Sequence, residues 1–288
     1  MTAVLTQRGP LYFAWRRFAG NKAAVVSGVV LLILILMAIF APFITKTSYE
    51  EQAFLTDAYA APSGTYWFGV DDLGRDFFSR IVYGARISLT IGFTAAAFSV
   101  VIGIPLGAVA GYYGGRVDWA VMRLIELFSV VPSLLAAMLL GALTGGGFFT
   151  IVLVSALFGW VQVCLLVRAQ VKAVREKEFV RAAQALGASP GYIMRRHLIP
   201  NSVSPIIVGF VLAIPLAMML EASLSFLGVG VPPPLPSWGQ MINVGMNFMY
   251  FYWHLAVFPT AALAITVLAT TLFGDGLRDA LDPTLKGR

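Results

Sequence analysis

Long charge-free runs alternate with short polar stretches along this chain, and the runs set its architecture. From Ala23 to Thr45 no charged residue occurs, and at about 1.5 Å per residue such a helix reaches roughly 34 Å, enough to cross a bilayer core. Further charge-free runs extend from Ile87 to Gly115 and from Leu127 to Val167. The last of these is long enough for two helices, and Gly145, Gly146 and Gly147 lie at its middle, where consecutive glycines disfavour helix and supply a tight turn. The pattern predicts spans at 23–45, 87–115, Trp119–Leu140 and Phe148–Val167, then from after Pro200 to near Glu221, and last from about Leu255 to Phe273. The expected fold class is all-α integral membrane, with six transmembrane helices.

Composition agrees. Of 288 residues 59% are hydrophobic and 12% charged, against about 25% charged in a soluble domain. A formal charge of +6 on so apolar a chain points to basic cytoplasmic loops rather than nucleic-acid binding. Arg8, Arg16, Arg17 and Lys22 precede the first run, and Arg168, Lys172, Arg175, Lys177, Arg181, Arg195 and Arg196 fall between the fourth and fifth spans. Both regions are expected inside, as is the C-terminus with Arg278, Lys286 and Arg288. The loop 46–86 carries Glu50, Glu51, Asp57, Asp71, Asp72 and Asp76, and Ala222 to Trp253 holds no charge. Both are expected outside. The first span continues through Ala41, Pro42 and Phe43 without a small-residue cleavage pattern, so it reads as a retained anchor rather than a signal peptide.

The most informative polar stretch is 171–201. Val171 to Leu186 is rich in good helix formers, with Val171, Val174, Ala182 and Leu186 close to one face. Gly187 fits a helix C-terminal cap, where a left-handed residue is wanted. Ser189 followed by Pro190 fits a helix start, with the hydroxyl as N-cap and the proline at the first helical position. A second short helix is expected from Pro190 towards Ile199, with Pro200 before the return into the membrane. An ordered surface element of this kind suits docking better than a loop that only fixes topology.

Here the residues carry a family resemblance. Arg181, Ala182, Ala183, then Gly187, Ala188, Ser189 and Pro190, and finally Ile199-Pro200, resemble the EAA loop of permease subunits in binding-protein-dependent ABC importers. Arg181 stands where the general motif has Glu, as in the peptide-transporter branch, and His197 where Ile is common. Trp67-Phe68-Gly69, Asp71-Asp72-Leu73-Gly74-Arg75-Asp76 and Tyr83-Gly84-Ala85-Arg86 are similar to the outer segment of dipeptide, oligopeptide and nickel permeases. So are Ala222 to Gly228, Pro236-Ser237-Trp238-Gly239 and Gly274 to Pro283. The chain thus resembles a C-type permease with the type I importer fold, one N-terminal helix before a five-helix core. That arrangement implies an N-terminal segment 1–22 with an interfacial helix, a first span 23–45, an outer loop 46–86, a core 87–277 and a tail 278–288. The resemblance also implies a homologous second permease, two cytoplasmic ATPase subunits carrying ATP and Mg, and an extracytoplasmic substrate-binding protein. Di- or oligopeptides are the implied cargo, with nickel or another small solute as the alternative.

Other features bear on the same reading. No Gly-x-x-x-x-Gly-Lys-Ser/Thr loop occurs, so ATP is not held here by the usual cradle. His197 and His254 are the only histidines, and no catalytic or metal-ligand constellation is apparent. The chain is therefore not read as an enzyme, and it is expected to carry no cofactor. Cys164 reads as a small core residue, and Gly103, Gly107, Ala108 and Gly111 as a close helix contact. Arg123 and Glu126 read as an i, i+3 pair. Phe13 to Lys22 suits a helix lying in the lipid headgroups, and the aromatics 248–253 an interfacial belt. Asp71, Asp72, Gly74, Arg75, Asp76 and Trp238 are candidates for docking or gating outside. Glu221, costly near the end of an apolar span, is expected at the outer mouth. An ion-driven secondary transporter, with buried acids in repeated halves, and a non-transporting assembly subunit are the rival classes.

Overall fold

A computed structural model describes residues 10–52 and 57–281. Arg8, Lys286, Arg288 and the Asp282-Pro283 end of the last motif lie outside them. Helix α1 (Pro10–Gly20) leads into α2 (Lys22–Ile39), and a turn of helix, α3 (Ala41–Ile44), follows it. The Asn21 side chain caps α2 by accepting from the Ala24 amide at 3.2 Å. The predicted interfacial helix thus stops two residues earlier than expected, and Lys22 belongs to the span. Phe18 meets Phe273 edge to face at 5.5 Å, which fixes α1 against the last helix, while Trp15 stays exposed.

Among the described residues, five helices are long and apolar enough to cross a membrane: α2, α4 (Phe77–Tyr113), α7 (Phe148–Arg175), α11 (Val203–Phe226) and α13 (His254–Leu281). The third predicted span is different. It is two helices, α5 (Gly115–Val130) and α6 (Ser133–Thr144), bent by 73°. Pro132 between them has no amide hydrogen, and it drives Val131 to extended backbone at φ −81° and ψ 119°, so the helix cannot continue. At about 1.5 Å per residue neither piece alone reaches across roughly 30 Å.

Three other boundaries move for one shared reason: charge-free runs mark the membrane-buried part of a helix, not its ends. Helix α13 runs past Phe273 to Leu281, so Arg278 is helical and not part of a tail. Helix α4 begins at Phe77, so the outer loop ends at Asp76 and Arg80 and Arg86 are helical. Helix α7 continues to Arg175. Val171 and Val174 therefore belong to a span, and the expected helix 171–186 is instead the end of α7 followed by a separate α8 (Glu178–Ala185).

The glycine reading explains the tightest packing. A β-carbon at Gly103 would lie 2.9 Å from the Trp160 carbonyl oxygen, at Gly107 2.5 Å from that of Cys164, and at Gly111 2.7 Å from that of Arg168. Helix α4 thus lays a row of glycines directly on the α7 backbone, which only small residues permit. Cys164 is buried in that contact.

Candidate functional site

At the basic end of the bundle the chain leaves α7 and folds into a small unit of its own. Helix α8 closes with three backbone bonds: the Leu186 amide donates to Ala182, that of Gly187 to Gln184, and that of Ala188 to Ala183, each at 3.0 Å. This is the Schellman pattern, and Gly187 takes its left-handed position at φ +79°. Two residues on, the Ser189 hydroxyl accepts from the Tyr192 amide at 3.4 Å and Pro190 opens α9 (Pro190–Ile193). Both features match the sequence reading.

The second helix does not stop at Pro200. It widens to a π segment at Met194–Leu198 and runs on as α10 (Ile199–Asn201). Proline cannot donate to the carbonyl four residues back, and side chains satisfy two neighbouring carbonyls instead. Asn201 Nδ2 donates to His197 at 2.6 Å and Ser202 Oγ to Leu198 at 2.8 Å.

Burial divides this unit cleanly. Val180, Ile193 and Leu198 form one apolar cluster with Val167, Val171 and Val174 of α7 and with Ala108 and Tyr112 of α4, and Ala183 and Ala188 pack against it. The unit is therefore seated on α4 and α7. His197 lies 5.9 Å from the Phe179 ring and 5.8 Å from that of Tyr192, so it packs α8 against the second helix. Facing away are Ala182, Leu186 (88% exposed), Tyr192 (54%), Arg195 and Arg196. Arg181 is exposed too, and it donates to Glu176 at 2.7 Å, which holds that carboxyl below its usual value. Sequence reasoning missed one support: Arg168 donates from Nε and Nη2 to the two carboxylate oxygens of Asp118, joining α7 to α5 across 50 residues of chain.

At the other end, the described residues 46–52 and 57–76 close over the helices. Asp71 is its centre. One carboxylate oxygen accepts from the Leu73 and Arg75 amides at 2.9 Å each, and the other meets Arg75 Nε at 2.7 Å and Arg80 Nε at 3.3 Å. Asp76 caps α4, accepting from the Ser79 amide at 2.8 Å. Trp238, at the start of α12 (Trp238–Phe248), is fully buried and donates to the Ile81 carbonyl at 3.0 Å. Part of the predicted aromatic belt belongs to this closure as well. Tyr252 stacks on Tyr59 at 4.4 Å, and Phe68 on Phe258 at 4.2 Å.

The outer candidates differ in exposure. Asp71, Gly74, Arg75, Trp238 and Glu221 are buried, while Asp72 and Asp76 are partly exposed. Glu221 is 0% exposed, so it does not line an open outer mouth. It accepts from Ser225 at 2.7 Å and from Ser88 of α4 at 3.4 Å. Ser237 donates to Ser225 at 3.3 Å, and the Trp238 amide to Ser88 at 3.4 Å. A carboxyl group here ties α11, α4 and α12 together through hydroxyls, which explains how an acid is tolerated so deep in an apolar bundle.

Comparison with known proteins assigns the architecture. The family described as "Binding-protein-dependent transport system inner membrane component" matches residues 103–287, and "N-terminal TM domain of oligopeptide transport permease C" matches 10–62. The oligopeptide transport system permease protein OppC of Bacillus subtilis (strain 168) is 42% identical over 95% of this chain and 89% of its own length. The dipeptide permease DppC of the same organism is 43% identical over 95% and 85%. The glutathione permease GsiD of Pectobacterium atrosepticum is 40% identical over 97% and 93%. In three dimensions the MetNI methionine ABC transporter, in an inward facing conformation, superposes with a TM-score of 0.59 over 72% of this chain and 98% of that one, at 18% identity. The fold is therefore that of a type I ABC importer permease, and the chain belongs to the family of binding-protein-dependent transport system inner membrane components.

Proposed function

We propose that this chain is the C-type permease subunit of an ATP-driven importer of di- and oligopeptides. The observation that carries the reading is full-length similarity, at 40–43% identity, to permeases named for oligopeptide, dipeptide and glutathione transport. The chain itself moves no phosphate. It pairs with a homologous permease, two cytoplasmic ATPase subunits bind ATP and Mg, and an extracytoplasmic binding protein delivers the peptide.

The basic unit 178–201 supplies the coupling surface. Its exposed ridge of Leu186, Tyr192, Arg195 and Arg196 docks on an ATPase, while Val180, Ile193 and Leu198 fasten it to α4 and α7. A push on the ridge therefore moves two spans rather than a loose loop, since packed cores shift as units. The basic residues at this end support an inside location by the positive-inside rule. The opposite end, with Asp72 and Leu73 at its surface and Tyr250 and Phe251 projecting, then faces the binding protein.

The test is uptake by proteoliposomes that contain the purified complex of both permeases, the ATPases and the binding protein. Peptides of two to six residues accumulate only with internal ATP and the binding protein present. Accumulation driven by an ion gradient without ATP, or of nickel in place of peptides, overturns the reading.

A further inference from the structure

A hollow of about 540 Å³ opens between α4, α6, α7 and α11, within the roughly 300–1,000 Å³ of small-molecule sites. Most of its wall is apolar, from residues such as Phe158, Leu216 and Leu220, but Ser99, Ser133, Ser155 and Gln162 also face it. No charged side chain lines it. We infer that this hollow is a wall of the translocation path, and that its uncharged polar groups take the main-chain amides of the passing peptide. The inference rests on the peptide-importer reading and adds to it the place and chemistry of contact.

Two side chains carry the argument. A helical serine ordinarily donates back to the carbonyl one turn earlier, as Ser99 does to Ala95 at 2.9 Å. Ser155 is 5% exposed, and its hydroxyl oxygen has no hydrogen-bond partner although it borders the hollow. A buried polar atom of this kind is costly unless something else supplies the bond. Gln162 lies two turns further along α7, on the same face. It sits near the middle of the helix Phe148–Arg175, and the residue is exposed. At that depth a bare carboxamide facing hydrocarbon is unfavourable, so it meets water or a polar ligand.

The chemistry then selects the ligand. Hydroxyls and a carboxamide both donate and accept, matching the N–H and C=O groups that every peptide repeats. With no fixed charge, the wall is indifferent to acidic or basic side chains on the cargo. A lipid acyl chain would leave Ser155 and Gln162 unsatisfied.

The experiment uses the assembled transporter in proteoliposomes. In a Cys164→Ser background, which removes the lone cysteine, Gln162→Cys is exposed to a water-soluble methanethiosulfonate reagent. Reaction is expected, and it slows during ATP-driven turnover with trialanine and the binding protein. Ser155→Ala with Gln162→Leu is expected to slow uptake of Ala-Ala-Ala, Ala-Lys-Ala and Ala-Glu-Ala alike by about ten-fold, the effect of roughly one hydrogen bond. An unreactive Gln162→Cys in a complex whose wild type moves these peptides overturns the inference alone. So does a loss confined to the lysine or glutamate peptide, or unchanged uptake of all three. A wild-type complex that moves none of them overturns the importer reading itself.

Discussion

At the acidic end of the bundle, Asp71, Arg75 and Trp238 are turned inward and bonded to the chain's own backbone and side chains. At the basic end, Leu186, Tyr192 and Arg195 are turned outward while only Val180, Ile193 and Leu198 reach inward. Both stretches are motif-rich and polar, yet one uses its motif to close over the helices and the other to present a ridge. The difference shows that a recognisable motif can mark a segment held by its own chain or one left at the surface, and that burial tells the two apart.

The largest effect should come from Asp71→Ala. It leaves Arg75 and Arg80 buried without their shared carboxylate, and breaking a buried pair of this kind costs about 3–5 kcal/mol. The expected result is a lower melting temperature and rapid proteolytic cleavage within 46–76. An unchanged melting curve and an intact segment would place the motif's role outside the fold.

Gly187→Val should have the opposite signature. Nothing lies within 4 Å of a β-carbon there, but φ is +79°, so the strain is conformational and amounts to about 1–2 kcal/mol. Transport-coupled ATP hydrolysis is expected to fall sharply in the assembled complex, while membrane insertion and the yield of purified chain stay near wild type. Normal coupling would show that the geometry of this turn does not matter to the partner.

Arg181→Ala should be the mildest. Its pair with Glu176 is exposed on both sides, and such pairs contribute little to stability. Thermal unfolding should not move, so any change in coupling reports lost contact with the ATPase. A clear drop in melting temperature would mean that the pair holds the unit together.

What was legible in the sequence follows the range of the interactions. The cap at Gly187 and the N-cap at Ser189 depend on neighbours within a few residues, and the chain displays them directly. The Gly103, Gly107 and Gly111 row was likewise readable, because a four-residue repeat of small residues has one main structural use. The break at Pro132 is written in the sequence, but a charge-free run masks a kink. The enclosure of Asp71 and Glu221, and the pairing of Arg168 with Asp118, depend on residues brought together by the tertiary fold. An acidic, arginine-bearing loop has the composition of a solvated surface, and only packing shows otherwise.

The central claim, that one end of the chain is a docking ridge and the other a closed cover, is tested most directly by photo-crosslinking in intact membranes. A benzophenone amino acid is placed at Leu186, and in a parallel sample at Trp238. The account predicts an adduct between position 186 and a subunit carrying a phosphate-loop ATPase motif, and only intrachain adducts from position 238 in whatever chain folds. No ATPase adduct at 186 in a complex that still hydrolyses ATP would contradict it.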